Sequence, residues 1–155
     1  MVLFLWQYIC INGHEFEVPE LDEFQYGTLL LRNELDEIQC VYVNDKAFSE
    51  IDKLVSGHSL VSNYEEGDLT DIVQSVFSIA CDENVDGGGK YNIRTNQRCP
   101  KCGTRNMDDW GQIIPLKPVE VDVKEVTHNH WFSLSEAEKK SLVDAAILKE
   151  LKKTN

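Results

Sequence analysis

The sequence predicts an α+β fold, in which strands and helices occupy different stretches of the chain. Residues 1–43 contain short apolar runs separated by acidic turns, which is typical of strands. Two central segments and the C-terminal segment carry apolar residues at helical spacing. A Cys-Pro-Lys-Cys-Gly turn at residues 99–103 has the spacing of a metal half-site. We therefore expect a mixed or antiparallel sheet with a metal-binding knuckle, two inserted helices and a C-terminal helix.

The first strands are predicted by apolar and β-branched runs. Residues 2–11 read as a buried strand, because the run lacks the basic start and the small-residue cleavage site of a signal peptide. Residues 27–32 and 38–43 predict a hairpin across the acidic turn 33–37. Further along, we expect residues 91–97 to lead into the knuckle as a strand. Residues 112–126 should leave it as extended segments broken by Pro115 and Pro118.

Three helices are predicted from capping residues and apolar stripes. Asp45 is a candidate N-cap for a helix to about Ser56, which Gly57 ends. A second helix should begin at Asp68 or Thr70 and continue to about residue 80. The capping box from Ser135 to Glu138 starts the C-terminal helix, at about 133–152. The length of 155 residues favours a single domain, 1–155.

The cysteines favour metal binding over disulfides. Their number, five, is odd, and Cys10, Cys40 and Cys81 stand singly in apolar runs, so we expect Cys40 and Cys81 to be buried. A cytoplasmic location is the expectation for such a pattern. Cys99 and Cys102 supply half of a structural zinc site, which requires a second pair of ligands.

The segment from Tyr8 to Glu17 resembles the first knuckle of small zinc-ribbon proteins of the FmdB type, whose pattern is roughly Y-x-C-x-x-C-G-H-x-F. With Gly13 and His14 aligned to that pattern, its two cysteine positions fall on Ile9 and Asn12, so that Cys10 is out of phase. The resemblance implies zinc-ribbon-like halves at 1–17 and 91–126, separated by an α/β insertion at 18–90. Either this first knuckle has decayed, or Cys10 and His14 rebuild it at a spacing of four. The second case gives a Cys3His zinc site made of Cys10, His14, Cys99 and Cys102, which is chemically sound because zinc accepts imidazole nitrogen as readily as thiolate.

Two alternatives remain open for the cysteine pair. His128 and His130 alternate on one face of an extended segment, and with Cys99 and Cys102 they would form a Cys2His2 site. Alternatively, no metal is bound and the pair is a relic or a redox motif. A redox pair should start a helix, whereas residues 104–111 have no amphipathic stripe.

The charge distribution favours a protein that binds a basic partner. The net charge is −12, and residues 1–67 carry 13 acidic against 3 basic residues. Such a field repels phosphate backbones and attracts cationic proteins, and simple solubility is the alternative explanation of the same charge. The acidic surface is expected around eight residues: Glu15, Glu17, Glu20, Asp22, Glu23, Glu34, Asp36 and Glu37.

These features predict a non-catalytic protein with a structural Zn²⁺ site. In character it resembles small bacterial immunity proteins, which are acidic because the nuclease toxins that they neutralise are basic. The tail from residue 126 to 140 is also similar to the ending of small bacterial zinc-ribbon proteins. The chain lacks HExxH and the deaminase signature, which disfavours zinc catalysis. The alternative is a zinc-ribbon nucleic-acid-binding or transcription-regulatory protein, whose basic patch would be Arg94, Arg98, Lys101 and Arg105.

Overall fold

The structure is a computed structural model that describes residues 1–153. Its strands are β1 (Val2–Cys10), β2 (Glu15–Glu20), β3 (Thr28–Arg32), β4 (Ile38–Tyr42), β5 (Met107–Gln112), β6 (Pro118–Glu120) and β7 (Lys124–Glu125). Its helices are α1 (Lys46–Ser56), α2 (Glu66–Val76), α3 (Asn129–Ser133) and α4 (Glu136–Lys153). Short 3₁₀ turns occupy Ser59–Val61 and Phe77–Ala80. The α+β class predicted from the sequence is confirmed.

The strands divide between two sheets. The first, which we call the knuckle sheet, is antiparallel: β1 lies between β2 and β5, and β6 pairs with the other end of β1. The second sheet has the order β3-β4-β7, with β3 and β4 antiparallel and β7 parallel to β4. The hairpin predicted for residues 27–43 is this β3–β4 pair. β1 is the central and longest strand of its sheet, and its Leu3, Tyr8 and Cys10 are buried.

The largest apolar cluster, which we call the helical core, lies between the helices and the second sheet. Asp45 starts α1 by accepting a 3.0 Å hydrogen bond from the Phe48 amide, as its N-cap position predicts. The predicted capping box also forms, with the Glu138 amide donating to Ser135 Oγ at 3.2 Å. Fully buried side chains of this cluster include Ile51, Val55, Val76, Phe77, Trp131, Val143 and Ile147.

Three local predictions were wrong. Residues 91–97 form no strand: Asn92 makes an isolated bridge to Arg32, and turns follow. A strand forms instead at β5. Its residues 108–111 are all exposed, so they lack the alternation of apolar and polar side chains that predicts a strand. The second inserted helix begins at Glu66, ahead of the predicted Asp68 or Thr70. In residues 1–153, no helix combines the length and the apolar character needed to cross a membrane.

Candidate metal centre

Two turns bring the predicted ligands together at one end of the knuckle sheet. The first follows β1, where the Gly13 amide donates to the Cys10 carbonyl at 2.8 Å and the Cys10 amide donates to the His14 carbonyl at 3.0 Å. In the second, the Gly103 amide donates to the Cys99 carbonyl at 2.9 Å. Gly13 and Gly103 have φ of 82° and 76°, a region that glycine adopts without steric cost. These bonds turn the chain back so that both members of each pair face the same point.

The four predicted ligands form one cluster. The Sγ atoms of Cys10, Cys99 and Cys102 and a ring nitrogen of His14 all lie within 4.8 Å of one another. Among residues 1–153, no other group of three or more His, Cys, Asp or Glu side chains has this geometry. The cluster joins residues from opposite sides of the long insertion, as the Cys3His hypothesis requires.

Three of the six distances between ligand atoms in the cluster match those of a tetrahedral metal site. The Sγ atoms of Cys10 and Cys102 are 3.8 Å apart, and His14 Nδ1 is 3.5 Å from Cys10 Sγ and 3.8 Å from Cys99 Sγ. Zinc–sulfur bonds of about 2.3 Å and zinc–nitrogen bonds of about 2.0 Å place tetrahedral ligands about 3.8 Å (S···S) and about 3.5 Å (S···N) apart. The donor set therefore fits a metal ion such as Zn²⁺ in both size and chemistry. All five cysteines are free thiols.

The thiols of the cluster have different environments. Cys10 and Cys99 are buried, whereas Cys102 is exposed. Burial raises the pKa of the Cys10 thiol. The Asn12 side-chain amide, followed by the Thr104 main-chain N–H, lowers the pKa of Cys102 to about 6. Hydrogen bonds to sulfur favour the thiolate, which is the form that binds metal.

Asn12 also belongs to the site, although the sequence did not predict a role for it. It stands where the zinc-ribbon pattern has its second cysteine, and its Nδ2 donates to Cys102 Sγ at 3.4 Å. The turn from Cys10 to Gly13 is one residue shorter than the turn from Cys99 to Gly103. In this shorter turn Cys10 supplies the sulfur atom, and Asn12 donates a hydrogen bond to the sulfur of Cys102 in the opposite turn. The Asn-Gly dipeptide signalled a turn but not this contact.

The second turn is also tied to the second sheet. Arg105 donates through Nη1 to Asp36 Oδ1 at 2.8 Å and to the Asn96 carbonyl at 2.6 Å. Its Nη2 donates to the Glu34 carbonyl at 3.1 Å. Arg105 therefore positions the knuckle against the turn between β3 and β4.

The histidines of the alternative Cys2His2 site do not join the cluster. His128 is buried beside Phe77, where its Nδ1 donates to the Ala80 carbonyl at 2.6 Å. His130 lies in the first turn of α3, where its main-chain amide donates to Asp82 at 3.1 Å. The predicted burial of Cys40 and Cys81 is confirmed: they are 1% and 2% exposed. Neither belongs to the cluster.

The redox alternative also lacks its structural context. A reactive Cys-x-x-Cys pair gains its low pKa from the N-terminus of a helix. Here the turn at residues 99–103 leads through irregular chain into β5. Comparison of the chain with protein-family models, curated proteins and solved structures gives no significant match. The resemblance to FmdB-type zinc ribbons and to immunity proteins therefore stays a prediction.

Proposed function

We propose that this protein is a non-catalytic, acidic binding protein whose Cys3His cluster holds a structural zinc ion and whose partner is a basic protein. In its most specific form the proposal is an immunity protein that neutralises a basic, nuclease-type toxin in the cytoplasm. The observation that carries the zinc part is the tetrahedral spacing of Cys10, His14, Cys99 and Cys102. Four protein ligands complete the coordination of zinc, whereas catalytic sites keep one position for water.

Intramolecular contacts narrow the acidic surface that a partner could meet. Glu20 pairs with Arg32 at 2.8 Å, and Asp36 pairs with Arg105 at 2.8 Å. Glu34 lies 3.6 Å from Arg105, and Glu37 accepts hydrogen bonds from Asn33 and Asn84. Of the other members of the predicted set, Glu17 lies 3.6 Å from Lys117 in an ion pair that is exposed at both ends. An exposed pair costs little to break, so we centre the proposed surface on Glu15, Glu17, Asp22 and Glu23.

The same pairs weaken the support for nucleic-acid binding. Arg94 is held by Asp71 at 2.8 Å, and Arg98 and Arg105 both lie beside Glu34 and Asp36. A phosphate contact by these arginines would compete with carboxylates already in place. Of the four cations in the predicted patch, Lys101 alone makes no ion pair within residues 1–153, and it is exposed. These contacts favour the basic protein as the partner class.

Zinc analysis of the purified protein tests the first part of the proposal. We expect one equivalent of zinc per chain, and replacement by Co²⁺ should give the charge-transfer absorption of thiolate ligands. Mutation of His14 to Ala should abolish or weaken zinc binding, whereas mutation of His130 to Ala should leave the zinc content at one equivalent. A content below about half an equivalent in freshly purified protein would refute a structural zinc site.

Charge-matched variants test the second part. If a basic toxin is encoded beside this gene, its co-expression with this protein should restore growth and yield a complex. The triple change Glu15→Gln, Glu17→Gln and Glu23→Gln should slow association at least tenfold, because these carboxylates are exposed and steer the encounter. The matched control neutralises exposed Asp52, Asp86 and Asp122 to Asn, which changes net charge equally. Equal association rates for the two variants would place the partner elsewhere, and failure to bind or neutralise the toxin would refute the immunity function.

A further inference from the structure

The outer edge of β5 is an open sheet edge. β5 pairs with β1 on one side, and within residues 1–153 no strand pairs with its other side. Its residues from Asp108 to Gly111 are exposed. An open edge presents main-chain N–H and C=O groups that can pair with another strand.

The register identifies the groups that face outward. The Ile113 amide donates to the carbonyl of Leu5, the residue directly opposite, at 3.2 Å. Because hydrogen-bonded positions alternate along an antiparallel pair, Asp109, Gly111 and Ile113 direct their main-chain N–H and C=O groups toward β1. Trp110 and Gln112 consequently direct their N–H and C=O groups away from β1. The outward Trp110 amide donates to Asp109 Oδ1 at 2.9 Å. An added strand would replace this local bond and release the Asp109 carboxylate.

The side chains beside this edge combine an exposed aromatic ring with negative charge. Trp110 lies opposite Tyr8, and Tyr8 lies opposite Phe16, in one aromatic row across the sheet. The rings of Tyr8 and Phe16 stack at 5.9 Å, whereas Trp110 is 58% exposed at the end of the row. A cleft of 310 Å³ beside Trp110 is also lined by Glu20, Asp22 and Glu23. A cationic side chain there would meet both a π-face and carboxylates.

We infer that the β5 edge binds an extended, lysine- or arginine-rich segment of a partner protein as an added β-strand. The inference rests on the proposed function and assigns its basic partner a binding mode. Charge complementarity selects the occupant, because Asp108 and Asp109 lie on β5 itself and Asp22 and Glu23 line the cleft beside Trp110. The same charges oppose pairing with the β5 edge of a second copy. Main-chain bonds to Trp110 and Gln112 would provide affinity, and Trp110 with its acidic neighbours would provide the preference for cations.

A single backbone N–H distinguishes this binding mode from general charge attraction. Gln112→Pro removes an outward N–H and leaves the bonds to β1, as edge strands allow. Gln112→Ala removes the same side chain and keeps the N–H. The probe is a capped peptide of about eight alternating Lys and Thr residues, the length of a long strand. By fluorescence anisotropy on zinc-loaded protein, we expect Gln112→Pro to bind at least tenfold more weakly than Gln112→Ala. Equal affinities, or no binding of the peptide to wild type, would overturn the inference.

Controls on the peptide test the same claim with the unmodified protein. N-methylation of alternate peptide bonds should weaken binding at least tenfold, a result that does not depend on how well Gln112→Pro folds. A matched Glu-Thr peptide should not bind, and Trp110→Ala should weaken the Lys-Thr peptide several-fold. Sedimentation that shows a dimer lost in Gln112→Pro would instead assign the edge to a second copy and overturn the inference. Failure here is distinguishable from failure of the proposed function, because zinc content and toxin neutralisation by the unmodified protein are scored separately.

Discussion

The helical core and the knuckle sheet differ in how much apolar surface each buries. Of the residues that the structure describes, the cluster between the helices and the second sheet contains 17 buried residues. The smaller cluster beneath β1 contains three, Leu3, Leu30 and Cys40. β2 and β5 contribute no buried residue to either. Apolar burial can stabilise the helical core, whereas β2 and β5 need another source of order.

The cysteine–histidine cluster lies where that source is required. It joins the end of β1 to the turn that precedes β5, at the end of the sheet opposite the β6 pairing. Small domains with little core commonly gain folding free energy from a structural metal. The comparison therefore predicts that metal loss and core mutation affect different parts of the molecule.

The largest effect should follow from removing a metal ligand. Cys99→Ser should abolish stoichiometric zinc binding and destabilise the knuckle sheet by about 4 kcal/mol at zinc levels a thousandfold above the dissociation constant. Differential scanning calorimetry with and without chelator measures this, and chelator should have no further effect on the variant. Cys40→Ala is the control: Cys40 is buried but does not belong to the cysteine–histidine cluster, so the variant should keep its zinc. An unchanged melting temperature for Cys99→Ser would contradict the account.

A core substitution should act on the other region. Ile147 is 0% exposed, so Ile147→Ala should cost about 3 kcal/mol through lost burial and a cavity. Its neighbour Leu148 is 48% exposed, and Leu148→Ala should change stability by less than about 0.5 kcal/mol. Urea denaturation followed by circular dichroism gives both values, and zinc content should stay at one equivalent. Loss of zinc in Ile147→Ala would show that the two regions are not independent.

A smaller effect is expected from the residue that supports the metal ligands. Asn12→Ala removes the 3.4 Å hydrogen bond to Cys102 and should weaken zinc affinity about tenfold, or about 1.4 kcal/mol. Competition with a chromophoric chelator measures the change. Lys101→Ala, in the turn that carries Cys102, should leave the affinity unaltered. An equal loss in both variants would assign the effect to the turn in general.

The smallest effect concerns acid stability of the region around the helical core. The amides of Asn33 and Asn84 lower the pKa of Glu37 by donating to its carboxylate. Because the folded pKa lies below the unfolded value of about 4.3, this stabilisation is present above that value and is lost as pH falls through the folded pKa. Glu37→Gln should therefore flatten the acid dependence of stability in chelated protein. Asn84→Ala should add little in the Glu37→Gln background, and an unaltered pH profile would contradict this assignment.

The sequence was most informative where local physics decides the structure. Asp45 and the Ser135–Glu138 box set helix starts through side chains close in sequence, so α1 and α4 were predicted nearly to their ends. The apolar run of β1 was equally clear. β5 was not predicted, because Asp108, Asp109 and Gly111 are poor strand formers and pairing with β1 decides their conformation. The opposite error occurred at residues 91–97, where Tyr91 is buried without a continuous partner strand.

The candidate site shows the same division. Cys99 and Cys102 could be assigned from their spacing, and His14 and Cys10 from the resemblance to a ribbon knuckle. The role of Asn12 and the anchoring of Arg105 depend on contacts between residues far apart in the chain. The arginines that formed a basic patch in the sequence proved to be paired with acids of another element. Such pairing depends on tertiary packing, which local sequence patterns do not reveal.

Amide hydrogen exchange of zinc-loaded and chelated protein is the sharpest test of whether a metal ion stabilises the knuckle sheet, because it reports each region separately. We expect chelation to remove protection from β1, β2 and β5 while α1, α2 and α4 keep most of theirs. Readdition of zinc should restore the lost protection. Equal exchange in β1, β2 and β5 with and without zinc would contradict the claim that a metal ion stabilises the knuckle sheet.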